Sequence, residues 1–172
     1  MDQRFWMLRH QLVYASFSVV ILASVHLAEA QQAIFLVRHA EQSVEGEDPP
    51  LSETGRRRAT ALAVLLKDAG INAIYESGIR RTAETAKPLA DTLKVEPKTY
   101  SRGDIGGFIG RLRSQHAQHR VLIVSQSLRI SRWLKAFGHS AEITIAPAAD
   151  YDNLFVIIPK ADGAPLVLHL HY

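Results

Sequence analysis

Cysteine is absent from all 172 residues. That excludes disulfide bonds and a lipid-modified cysteine, so the fold has to be held by packing alone. Internal repeats and low-complexity stretches are absent as well, which excludes solenoid and disordered-tract architectures. Basic clustering is sparse: the net charge is only +3, and Arg56-Arg57-Arg58 is the one run of three cations. That run falls early in a predicted helix, where it reads as a solvated face, and no nucleic-acid partner is expected. The apolar content of 47% and charged content of 22% are those of an ordinary globular domain.

The longest apolar stretch, from Leu12 to Leu27, is too short and too interrupted for a comfortable membrane span. It follows Arg4 and Arg9 and precedes Ala28-Glu29-Ala30, a small-x-small cleavage pattern. Residues 1–30 therefore read as a secretory signal peptide, with an uncleaved amino-terminal anchor as the alternative. The expected product is a domain of residues 31–172, periplasmic or secreted, with no membrane span once the signal is removed. At about 140 residues it is large enough to bury a core without staples.

Within that domain, short apolar runs rich in strand formers alternate with helical periodicity. Ala33 to Val37, Asn72 to Tyr75, Val121 to Val124, Leu154 to Ile158 and Leu166 to Leu170 read as strands, with Val95 to Tyr100 as a weak edge strand limited by Pro97. Helices are expected from Ser52 or Thr54 to the stop at Gly70, from Ile79 to Leu93 with a kink or break at Pro88, after Gly107 to about Gln118, and over Ile130 to Phe137. The pattern predicts one α/β domain, a three-layer α/β/α sandwich whose sheet is mostly parallel with an antiparallel edge hairpin. The first strand ends in Arg38-His39, which places a cation and an imidazole at the carboxyl edge of the sheet, where open α/β sheets bind ligands.

Leu36-Val37-Arg38-His39-Ala40-Glu41 resembles the signature of the histidine phosphatase superfamily, the phosphoglycerate mutase-like fold. Leu51-Ser52-Glu53-Thr54-Gly55 is similar to the L-[ST]-x-x-G that follows it there. Ser77 to Ala86 resembles the S-x-x-x-R-[AT]-x-x-T-A segment in the register that singles out Arg81. Tyr151-Asp152-Asn153-Leu154-Phe155 is similar to the start of the last core strands of small bacterial members. The resemblance implies that His39 accepts a phosphoryl group, which water then releases. It also implies that Arg38 and Arg81 bind the phosphate, that no metal or cofactor takes part, and that the partner is a small phosphorylated substrate. Physical chemistry agrees, because a phosphate monoester near two negative charges calls for forked cations in fixed positions. Arginines beside an imidazole keep it neutral and nucleophilic. For the proton donor, Glu41 stands with His39 in the catalytic set, with Glu53 and Asp104 as alternatives.

One departure matters. The family's second histidine follows the strong late strand in a string like V-G-H-S-N-T, and here that place reads Val124-Ser125-Gln126-Ser127-Leu128-Arg129. Gln126 offers an amide donor without charge, and Arg129 could restore the charge if it points inward. Gly138-His139-Ser140 has the right letters but follows a helix, not a buried strand. Two functions follow: an exported phosphomonoester hydrolase attenuated by Gln126, or a weak or inactive relative that binds a phosphorylated ligand or a protein.

Overall fold

In the computed structural model the described residues are 32–44, 46–140, 143 and 149–172, so the signal peptide expected at 1–30 lies outside them. The elements in order are β1 (Ala33–Arg38), α1 (Glu53–Leu66), β2 (Ile71–Glu76), α2 (Arg80–Leu93), β3 (Lys98–Thr99), α3 (Ile105–Gln115), β4 (Arg120–Ser125), α4 (Ser127–Ala136), β5 (Asn153–Ile158) and β6 (Leu166–His171). They form a six-stranded mixed sheet in the order β3-β2-β4-β1-β5-β6. β1 to β4 pair in parallel, whereas β5 runs antiparallel to β1 and β6 antiparallel to β5.

The alternation of side chains along each strand explains the layers. On one face Ile34 and Leu36 of β1, with Val121 and Ile123 of β4, pack against Phe108, Ile109 and Leu112 of α3 and Ile130, Trp133 and Leu134 of α4. On the other, Val37, Leu122 and Val124 meet Leu62 and Leu66 of α1 and Ala86 and Leu89 of α2. Because both faces are covered, β1 and β4 read as continuous apolar runs. Trp133 and Phe155 are fully buried, each worth about 1.5–3 kcal/mol by removal of apolar area from water. Trp133 also donates its indole N–H to the Ser125 hydroxyl at 3.0 Å, so its burial leaves no polar orphan.

Helix boundaries follow capping chemistry. Ser52, not Thr54, caps α1, its hydroxyl accepting from the Gly55 N–H at 3.1 Å. Gly70, at φ +70°, lies just beyond that helix, as expected of a left-handed stop. α3 begins earlier than the sequence suggests and stops earlier, because Asp104 accepts from the Gly107 N–H at 2.8 Å and draws Gly106 and Gly107 into the first turn. α2 runs unbroken through Pro88. Thr85 and Ala86 before the proline and Leu89 and Ala90 after it are all buried, and this packing outweighs the single lost hydrogen bond. β3 is reduced to two residues after Pro97, at the sheet edge. Among the described residues no helix is long and apolar enough to cross a membrane.

Gly55 shows why the second motif needs glycine. A Cβ there would overlap the carbonyl oxygen of Glu41, which already accepts from the Ser52 N–H at 2.9 Å. Gly55→Ala should therefore destabilise the protein by about 1–3 kcal/mol. Gly110→Ala, where nothing lies within 4 Å, should stabilise α3 by about 0.5–1 kcal/mol. Thermal unfolding of the two variants should show shifts of opposite sign, and equal shifts would remove the close-approach argument.

Candidate active site

The site forms where the carboxyl ends of β1 and β4 lie side by side. The His39 N–H donates to the Ser125 carbonyl at 2.8 Å, extending the β1–β4 ladder by one residue and setting His39 beside Gln126. The Ala40 N–H donates to the Thr85 hydroxyl at 2.9 Å, which ties the same turn to α2. Arg81, in the first turn of α2, is thereby brought to the imidazole, its Nε 3.2 Å from His39 Nε2.

Partner chemistry fixes the tautomer. The Ala40 carbonyl, 2.8 Å from Nδ1, can only accept, so Nδ1 carries the proton. The Arg81 guanidinium can only donate, so Nε2 presents its lone pair. Burial of His39, which is only 4% exposed, is the main reason its pKa falls from 6.5 to about 4, and the charges of Arg38 and Arg81 push the same way. The Ala40 hydrogen bond and Glu41 oppose that shift without reversing it. The ring is thus a neutral base with its attacking nitrogen held at a cation.

Arg38 is buried as well. Its guanidinium stacks 3.7 Å above the Tyr151 ring, and its NH1 donates to the Asp150 carbonyl at 3.3 Å. Arg38, His39, Arg81, Gln126 and Arg129 line one pocket of about 500 Å³. Gln126 caps α4 by position, and its Oε1 accepts from Arg129 Nε at 2.9 Å. Since Arg129 has no acceptor, the amide oxygen faces it, and the amide NH2 is the donor that Gln126 offers the pocket.

The carboxylates are distributed differently from the expectation. Glu41 accepts three hydrogen bonds of 2.7–2.9 Å from Arg58. Burial works to raise its pKa, but the Arg58 hydrogen bonds and charge, with Arg38, hold the carboxyl below the usual range. This geometry suits an anchor better than a proton donor. Glu53 sits exposed on α1, paired with Arg57, and Asp104 caps α3 beside Arg111. None of the three lines the pocket. Asp48, in the loop between β1 and α1, reaches Arg81 NH1 at 3.5 Å and accepts from the Arg80 N–H at 2.9 Å. Tyr151, Gln42 and Arg132 also line the pocket and were missed. For Arg132 the available signal was its i+3 spacing from Arg129.

The other histidines among the described residues stand apart from the pocket lining. His116 bonds the Tyr75 hydroxyl and His119, His169 bonds Asn153, and His171 faces Asp152. His139 follows α4, its N–H donating to the Leu134 carbonyl, and does not line the pocket. Among the described residues no group of three or more His, Asp or Glu side chains converges as a metal cage.

The site is thus a neutral, arginine-held histidine at the carboxyl edge of the parallel strands of an α/β/α sandwich. Residues 34–102 match the model of the histidine phosphatase superfamily, branch 1. Relatives of the chain include the "Probable phosphoglycerate mutase GpmB" of Yersinia enterocolitica serotype O:8 / biotype 1B and that of Yersinia pestis (strain Pestoides F). Each is 36% identical over 76 residues, covering 40% and 38% of this chain respectively and 35% of each relative. The match thus spans about a third of the length of these curated relatives. Among solved structures, the protein histidine phosphatase SixA complexed with tungstate superposes with a TM-score of 0.64 at 14% identity, over 81% of this chain and 96% of that one. The alpha-ribazole phosphatase from Shigella flexneri gives 0.64 at 16% identity, over 81% and 96%. The phosphoserine phosphatase from Entamoeba histolytica gives 0.61 at 15% identity, over 82% and 97%. At such identities the likeness is one of fold.

The tautomer and burial of His39 generate a pH prediction. In ¹⁵N-resolved NMR, His39 should stay neutral with its proton on Nδ1 until the pH falls to about 4. Between 6.5 and about 4 the unfolded chain takes up this proton and the folded one does not. The His39 contribution to stability is therefore complete above 6.5 and declines as pH falls through that window. A titration near 6.5, or a proton on Nε2, would remove the attacking lone pair.

Proposed function

We propose that the protein is an exported phosphomonoester hydrolase that works through a phosphohistidine on His39, with an activity attenuated by Gln126. The observation that carries the reading is the His39 imidazole, neutral and buried, with Nε2 facing the Arg81 guanidinium. In this reading the substrate phosphoryl group lies against Arg38, Arg81 and the Gln126 amide. His39 Nε2 attacks phosphorus as the bond to the leaving oxygen breaks. Water then attacks the phosphohistidine, releasing inorganic phosphate and restoring the imidazole. Such loose transfer relies on positioning and on cations around the equatorial oxygens, and needs little else from the protein. Glu41, kept ionised by Arg58, is a poor source for the leaving-group proton.

Gln126 supports a second reading, in which the protein is a weak or inactive relative that holds a phosphorylated ligand or a protein. An amide donor is about half as strong as a charged one, and one lost donor of a preorganised set costs about a hundredfold to a thousandfold in rate. The Arg129 side chain that grips the amide returns a charge to the same wall of the pocket.

Substitution separates the readings. His39→Ala should abolish turnover of a phosphomonoester while the fold is retained, and Arg81→Ala should lower kcat/KM through both binding and the transition state. Gln126→His should raise activity by up to about a hundredfold. If Arg129 already compensates, that gain should shrink and Arg129→Ala should cost much of the activity. The two substitutions should then couple non-additively, since they share a hydrogen bond and a ligand. A natural protein without turnover, still inactive as Gln126→His yet binding phosphate, would establish the second reading.

Export is proposed on residues 1–30 alone. Mass spectrometry of the protein recovered from periplasm or medium should find a chain starting at or near Gln31. An intact Met1 form retained in membranes would instead establish the anchor.

A further inference from the structure

The first turns of α4 line one wall of the pocket. On the other helices several cations meet carboxylates, Arg57 with Glu53, Arg80 with Glu84, Lys87 with Asp91 and Arg111 with Asp104, whereas Arg56 donates to the Leu51 carbonyl. On α4 no cation pairs with a described carboxylate. Arg129 donates only to neutral acceptors, the Gln126 amide oxygen and the Arg102 carbonyl. Arg132 pairs with no described carboxylate, and both residues line the pocket that holds His39. Three positions apart on a helix, they lie on one face. Among the described residues Arg129 engages two of its five N–H groups in the contacts just named, and Arg132 engages none of its five.

In the reading above Arg38, Arg81 and the Gln126 amide face the phosphoryl group at His39, and the pair of guanidinia on α4 in the same pocket points to a second anion. Two forks match the three oxygens and double charge of a phosphate better than the two oxygens and single charge of a carboxylate. We propose that Arg129 and Arg132 form a second phosphate subsite. The substrate class is then a molecule with two adjacent phosphoryl groups, a diphosphate or a bisphosphate, one attacked by His39 and the other held by α4. The choice of which phosphoryl is transferred rests on the phosphatase reading, whereas the subsite is read by binding alone.

The test uses the whole chain and three probes at constant ionic strength: inorganic phosphate, pyrophosphate and phosphonoacetate, followed by calorimetry. Pyrophosphate should bind about tenfold or more tighter than phosphate, as expected of added charge-assisted bonds. Arg132→Gln should cut that ratio to about threefold or less, with Arg132→Lys in between. Arg113→Gln, the same charge change on an exposed part of α3, should leave the ratio intact and so rule out a general charge effect. An undiminished ratio in Arg132→Gln, or pyrophosphate binding no tighter than phosphate, would overturn the subsite. Phosphonoacetate binding as tightly as pyrophosphate would overturn its assignment to phosphate. A protein that turns over no phosphomonoester but passes these binding arms loses the phosphatase reading and keeps the subsite; the converse result loses only the subsite.

Discussion

The position of one proton governs this site. His39 gives its Nδ1–H to the Ala40 carbonyl and receives the Arg81 Nε–H at Nε2, so the ring cannot turn without losing both partners in a buried setting. Everything around it serves that arrangement. The Ser125 carbonyl fixes the His39 backbone, and Thr85 fixes that of Ala40. Thr85 belongs to the same helix that delivers Arg81. A threonine one helical turn after the arginine is thus a mechanical link between strand and helix, since its hydroxyl also donates to the Arg81 carbonyl at 2.7 Å. Burial keeps the ring neutral, and neutrality lets it sit against a cation with a nucleophilic lone pair.

Gathering cations next to a neutral imidazole has an electrostatic cost, and the fold distributes it. Arg38 is buried but stacked on Tyr151, where the ring face meets the guanidinium. Glu41, directly after the signature, is turned away to Arg58 and the carboxyl-terminal residue's backbone, as Arg58 NH1 also donates to the Tyr172 carbonyl. The result is an anchoring network behind the site and a cationic pocket in front of it. A carboxylate facing His39 would compete with phosphate for the arginines, so diverting Glu41 keeps the anion site open.

Gln126 stands in this setting. The family match ends at residue 102, before β4 and α4, so the second half of the site is known through geometry. There the glutamine occupies the helix-cap position with its amide oxygen held by Arg129. The side chain is oriented as a donor by a neighbour that also supplies charge. Whether such a pair matches a histidine in catalysis is a question about transition-state charge, which the substitutions above address.

The apolar runs of β1 and β4, the Arg38-His39 terminus, the Ser52 cap, the left-handed turn at Gly70 beyond the Lys67 helix end and the Arg81 register were legible from residues alone, because each is a local pattern with a local cause: alternation, capping or a left-handed turn. So was the seat of Gln126, since a residue directly after a buried parallel strand has one place to go. The role of Glu41, the arrival of Asp48 at Arg81, the stacking of Tyr151 on Arg38 and the facing of Arg132 into the pocket were not. Each joins separate elements of the chain, and ionic side chains look alike in sequence whichever partner they find. Glu41 became an anchor because Arg58, seventeen residues on, reaches it across the start of α1. The sequence determined which groups stand at the sheet's carboxyl edge. Tertiary packing decided which charges cancel there and which stay open to an anion, because that depends on distance and burial between elements that no local pattern encodes.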